Sequence, residues 1–153
     1  MHRPFGLVLV FVSSLAIPLS AQATIAGTWL TEFDAQVQIV NGAVSTVKGH
    51  ARVELRVSAD SIHGTWQNLN ATGAADGPAR PLAGTLTSGG AHFETLTPSE
   101  IVQRTMDNET HTKVLMNYDV AVHGDSLVGT AQWVAVDHTS KGETRRFTAT
   151  RKS

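Results

Sequence analysis

No cysteine occurs among the 153 residues. Disulfide staples, a lipid-anchored thiol and a cysteine nucleophile are therefore excluded. Aromatic residues are scarce at 6 %, with one tyrosine and three tryptophans. Charge of one sign is lacking too: 12 Lys and Arg stand against 13 Asp and Glu, a formal net charge of −1. The one dense basic spot is Arg145, Arg146, Arg151 and Lys152. It reads as the solvated end of a last strand, so no nucleic-acid partner is expected. No apolar run approaches the ~18 residues that a membrane-crossing helix needs. Long helical periodicity is missing as well, which argues against parallel strands joined by crossover helices.

What is present begins with an export signal. His2 and Arg3 precede an apolar run from Phe5 to Ile17, and Pro18 breaks it. Ala21-Gln22-Ala23 then has the Ala-x-Ala form of a cleavage site. Residues 1–23 are expected to be a signal peptide, with a mature chain starting at Thr24 and a periplasmic or secreted location. After cleavage no membrane span should remain. Residues 24–153 are then one domain, long enough to bury about two-thirds of its surface without cross-links.

One phrase recurs four times: Ile25-Ala26-Gly27-Thr28-Trp29, Ile62-His63-Gly64-Thr65-Trp66, Leu82-Ala83-Gly84-Thr85-Leu86 and Leu127-Val128-Gly129-Thr130-Ala131. Each reads as a strand with a glycine where an inward side chain belongs. Such a glycine costs about 0.5–1 kcal/mol relative to alanine. The offsetting reason is expected to be sharp strand coiling, or a ring laid flat on bare backbone, as in a closed antiparallel barrel.

The apolar period elsewhere is two. Val53, Leu55 and Val57 alternate with polar neighbours, as do Tyr118, Val120 and Val122, and later Phe147 and Ala149. Turn residues punctuate these runs at Asn41-Gly42, Asp60-Ser61, Gly89-Gly90, Asp107-Asn108, Gly124-Asp125 and Lys141-Gly142. Residues 57–65 resemble residues 122–130, each reading as strand, Asp-Ser turn, strand. The predicted strands are 25–33, 36–40, 50–58, 62–69, 80–87, 91–96, 110–122, 127–136 and 144–151. Asn70–Ala79 reads as a mobile loop. Residues 98–107 read either as a short helix opening at Thr97-Pro98-Ser99-Glu100 or as a loop leading into a strand. The fold class is all-β: a single antiparallel up-and-down barrel of about eight strands with at most one short helix.

Gly27-Thr28-Trp29 resembles the Gly-x-Trp opening of the calycin group, which includes lipocalins, fatty-acid-binding proteins and avidins. The whole chain resembles small exported bacterial lipocalin-like barrels of unassigned function. The resemblance implies a structural closure in which Gly27 and Trp29 on the first strand are crossed by a late basic residue, Arg151, with Arg146 second. The chain departs from the lipocalin pattern in lacking a Thr-Asp-Tyr motif; Asn117-Tyr118-Asp119 does not match it. Gln132-Trp133 echoes avidins, but the further tryptophans that wall a biotin pocket are absent, which argues against biotin.

Small barrels either fill their interior or hold one ligand. Few large side chains and many Ala and Gly leave room for a modest cavity. The expected wall for a small apolar or amphipathic ligand is Trp66, Phe93, Met116, Tyr118 and Trp133. The alternative is a filled barrel that acts as a protein-interaction or inhibitor module. Its motives are the Asn70–Ala79 loop and the strand Trp133–Val136, which is apolar on both faces. Neither reading calls for a cofactor. His50, His63, His92, His111, His123 and His138 show no i,i+2 pair on one strand, so no metal site is expected. Glu32 and Asp34 share a face, but read as a solvated strand end rather than an acid–base pair. No serine elbow exists, and no catalytic set is assigned.

Overall fold

The computed structural model describes the backbone from Ile25 to Ser153, and the side chains of all those residues except 36–40. The signal peptide expected over residues 1–23 lies outside the described residues. Nine strands follow one another: β1 (Gly27–Val40), β2 (Ala43–Ser58), β3 (Ser61–Leu69), β4 (Arg80–Thr87), β5 (Gly90–Thr95), β6 (Ser99–Arg104), β7 (Glu109–His123), β8 (Ser126–Ala135) and β9 (Arg145–Arg151). All pairing is antiparallel. β1 to β5 pair in sequence, β5 pairs with β7, β7 with β8, β8 with β9, and β9 returns to β1. The result is a closed eight-stranded barrel with β6 as one extra strand. Closure leaves few free sheet edges, which is how an all-β chain of this length avoids edge-to-edge pairing.

One end of the barrel is packed shut. Ile25, Trp29, Val53, Ile62, Phe93 and Leu127 are fully buried there. All but Ile25, which precedes β1, come from inward positions of their strands, so period-two patterning translates directly into core. The Arg151 guanidinium lies over the Trp29 ring at 4.1 Å, and one of its nitrogens donates to the Ala26 carbonyl at 3.0 Å. Trp29 Nε1 donates to the Ile25 carbonyl at 3.0 Å. A Cβ on Gly27, whose φ is +137°, would stand 2.7 Å from the same guanidinium. The N-terminal and C-terminal strands are thereby sewn together at the closed end.

The other repeated glycines answer a different need. At Gly64, Gly84 and Gly129 a Cβ would run into a backbone carbonyl of the adjoining strand, from Glu54, His92 and Asp119 respectively. Close backbone approach, from tight coiling of the sheet, is the reason at these three sites. Rings on bare backbone do occur, but at Gly49 under Phe33 and at Gly142 under Trp133, not in the repeated phrases.

Several boundaries differ from the sequence reading. The predicted strands 25–33 and 36–40 merge into one, Gly27–Val40, with a register shift between Asp34 and Gln36 that leaves Ala35 bulged. β2 begins at Ala43 rather than residue 50, because it follows β1 all the way to the Asn41-Gly42 turn, where both residues have positive φ. Residues 99–104 are a strand, and Thr97–Glu100 opens no helix. β6 continues β5 along the same side of β7. Between the Glu94–Asn117 pair and the Ser99–Val114 pair, the β5–β6 side holds two residues more than β7. Those extra residues bulge at Thr95–Pro98, where Thr95 Oγ1 accepts from the Met116 amide at 2.9 Å. The Asn70–Ala79 loop is exposed but carries hydrogen bonds of its own. Asn70 Oδ1 accepts from the Thr72 and Ala74 amides, and Gln67 Nε2 donates to the Gly77 carbonyl.

Candidate functional site

The barrel's two ends are unlike because its strands have unlike lengths. Short turns join the strands at the closed end. At the other end the β1–β2 and β6–β7 hairpins and the 136–144 loop run on past the core. There the interior opens into a cavity of about 630 Å³, a size suited to one small molecule.

An aromatic stack forms its floor. Trp66 and Tyr118 lie nearly parallel with centroids 5.5 Å apart, and Phe147 meets the Tyr118 ring edge-on at 5.3 Å. Phe93 stacks on Tyr118 at 5.1 Å, but is fully buried and does not line the cavity. Of the five residues expected to form the wall, Trp66, Met116, Tyr118 and Trp133 therefore line one space, and Phe93 supports it from within the core. Met116 and Trp133 sit opposite each other on β7 and β8. Trp133 has room for its indole because Gly142 faces it without a side chain. The strand from Trp133 to Val136 resolves into two faces: Trp133 points inward, while Val134 lies outside, paired across from Leu115.

Sequence reasoning missed Phe33, Arg80, Ile101 and Phe147, which also line the cavity. Phe33 continues the parity of Trp29 and Thr31, and Arg80 that of Leu82, so both signals were in the alternation. Ile101 was hidden by the doubtful structure of residues 98–107.

The wall has a seam. β1 pairs with β9 only through Trp29, Leu30 and Thr31. Above that point Thr31 Oγ1 still donates to the Thr148 carbonyl at 2.7 Å. Farther up, Phe33 to Ala35 on one side and Arg145 to Phe147 on the other all border the cavity. The cavity is thus reached through the mouth and along this seam.

Part of the charge at the rim is paired. Lys48 Nζ lies 2.6 Å from Asp34 and 3.9 Å from Glu32. The Lys48 hydrogen bond, aided by the charges of Lys48 and Arg145, holds the Asp34 carboxyl below its ordinary value. Glu32 and Asp34 thus form an exposed ion cluster with Lys48, with neither carboxyl desolvated for acid–base work. Deeper in, Arg80 bonds to Ser99 Oγ across the β5–β6 break. Burial pushes the Tyr118 phenol up, and the Arg80 charge offsets this only in part, so Tyr118 is a neutral hydroxyl at physiological pH. Among the described residues no group of three or more His, Asp or Glu could hold a metal ion, and no helix is long and apolar enough to cross a membrane.

The class defined by this geometry is a closed antiparallel β-barrel with one sealed end and one open, aromatic-floored end. No family model, curated protein or solved structure matches the chain.

Proposed function

We propose that this barrel binds one small apolar or amphipathic molecule in its open end. The single observation that carries the reading is the 630 Å³ cavity floored by Trp66, Tyr118 and Phe147. Phe33, Met116 and Trp133 supply further apolar wall. The binding free energy would come from desolvating such rings together with an apolar ligand surface, at about 25 cal/mol per Å² before the costs of association. Export of the mature chain to a periplasm or exterior, and kinship with the lipocalin-like barrels, belong to the same proposal. The apolar leader supports the first. The Gly27-Thr28-Trp29 opening crossed by Arg151 supports the second.

The test is titration with the neutral fluorophore N-phenyl-1-naphthylamine. Saturable binding at one site per chain is expected, and Trp133→Ala should weaken it by about tenfold, the equivalent of about 1.4 kcal/mol. Absence of saturable binding overturns the reading. A second reading, a protein-interaction or inhibitor module, draws support from the β1–β2 extension, where Val44 and Val47 are 69 % and 46 % exposed. A chain that takes up no fluorophore but co-purifies with one stoichiometric protein would favour it.

A further inference from the structure

The cavity is not uniformly apolar. Three arginines border it, Arg80 on β4 and the exposed Arg145 and Arg146 on β9, of which Arg80 and Arg145 hold inward strand positions. Arg145 is exposed at the rim and close enough to Asp34 to act on its carboxyl. Arg80 is different. It is half-buried, and no carboxylate of the described residues lies within 4.0 Å of it. Its one hydrogen bond, to Ser99 Oγ, uses one of five N–H donors. A guanidinium placed this way carries unspent donors and an uncompensated charge toward a space walled by rings. The acids of the same mouth do not answer it: Lys48 holds Glu32 and Asp34, and Glu143 is exposed at the rim. Tyr118, neutral and lining the same space, is a second donor with no hydrogen-bond partner among the described residues.

We infer that Arg80 recognises an anionic group, and that the ligand of this cavity is an amphipathic monoanion, a carboxylate carried on an apolar body. The carboxylate meets the Arg80 guanidinium, and the apolar body lies against Phe33, Met116 and Trp133. This inference rests on the ligand-binding reading above and adds the chemistry of the ligand's polar end. Arg80 has a competing structural task, latching β6 to β4 through Ser99, so the decisive readout is a preference between ligands rather than stability or affinity alone.

The probes are decanoate and decan-1-ol, which share a chain and differ in charge, titrated calorimetrically into the delipidated protein. The wild type is expected to bind decanoate at least about tenfold more tightly than the alcohol, as charge-assisted hydrogen bonds in a partly dry site allow. Arg80→Met should abolish that preference, leaving decanoate bound no more tightly than the alcohol. Ser99→Ala, which removes only the latch, should keep the preference, and Arg80→Lys should keep part of it. Equal wild-type affinity for the two probes overturns the inference and leaves the cavity reading standing. A preference that survives Arg80→Met also overturns it, and transfers the role to Arg145. Binding of neither probe overturns both readings.

Discussion

Gly129 illustrates how a residue can be defined by what its neighbour needs. A Cβ there would collide with the Asp119 carbonyl and stand 2.8 Å from the Val120 Cα. Backbone cannot move aside as a flexible side chain can. Gly129→Ala is therefore expected to lower stability by about 1–3 kcal/mol, the usual penalty for overpacking. Gly89→Ala, with nothing within 4 Å of the new methyl, should change it by less than about 0.5 kcal/mol. Urea unfolding midpoints of the two variants check this, and equal midpoints would refute it. The four repeated Gly-Thr phrases made the special status of Gly27, Gly64, Gly84 and Gly129 legible. Which partner crowds each one was not, because the crowding atom comes from another strand. Gly90, crowded by the Val120 carbonyl in the same way, carries no repeat and read only as a turn residue. Arg80 is the residue-scale counterpart among the cavity groups: its inward parity could be read, but its lack of a carboxylate partner could not.

At the scale of elements, the β6–β7 hairpin is where local pattern was weakest. Ser99, Ile101 and Gln103 alternate with Glu100, Val102 and Arg104, too mixed a pattern to separate strand from loop. β7 decides the matter by offering its free edge beyond the end of β5. The hairpin's outer face carries charge instead of apolar packing. His111 Nε2 lies 2.7 Å from Glu109, and its Nδ1 lies 3.3 Å from Glu100. Those two hydrogen bonds, Glu109 first, raise the His111 pKa above 6.5. Arg104, then His111, hold Glu109 below 4.5. His111 is thus protonated more readily in the fold than in the unfolded chain. Its contribution is complete below pH 6.5 and fades as pH rises through the raised value. Glu109 contributes fully above pH 4.5 and fades as pH falls through the lowered one. The hairpin should be held best between those two limits. An NMR titration of the His111 ring is expected to give a midpoint above 6.5 that drops in Glu109→Gln; a wild-type midpoint at or below 6.5 would contradict the contact.

For the molecule as a whole, the burial of Ile25 bears on export. Ile25 is fully buried, and its carbonyl accepts from Trp29 Nε1. Ile25 is thus a core residue one position beyond Thr24, where the mature chain is proposed to begin. Cleavage after Ala23 would retain Ile25, whereas cleavage only two residues later would remove its buried side chain. Sequencing the exported protein from its N-terminus should read Thr24-Ile25 first, and an intact Met1 would refute the leader. Fold class was legible because period-two alternation and turn residues are local signals, and antiparallel neighbours in a meander are also neighbours in sequence. Trp66 and Tyr118, which line the cavity, followed from the same parity. Phe93 obeyed the parity but lies too deep to touch the cavity, since alternation tells inside from outside and says nothing of depth. The sequence by itself determined the fold class, the faces of most strands and the pairing of most sequence neighbours. Only the tertiary structure decided that one end is plugged and the other open, that β1 and β9 part above three residue pairs, and that Arg80 faces the cavity without a carboxylate. Those features depend on relative strand lengths, stagger and contacts between residues far apart in the chain, none of which a local pattern encodes.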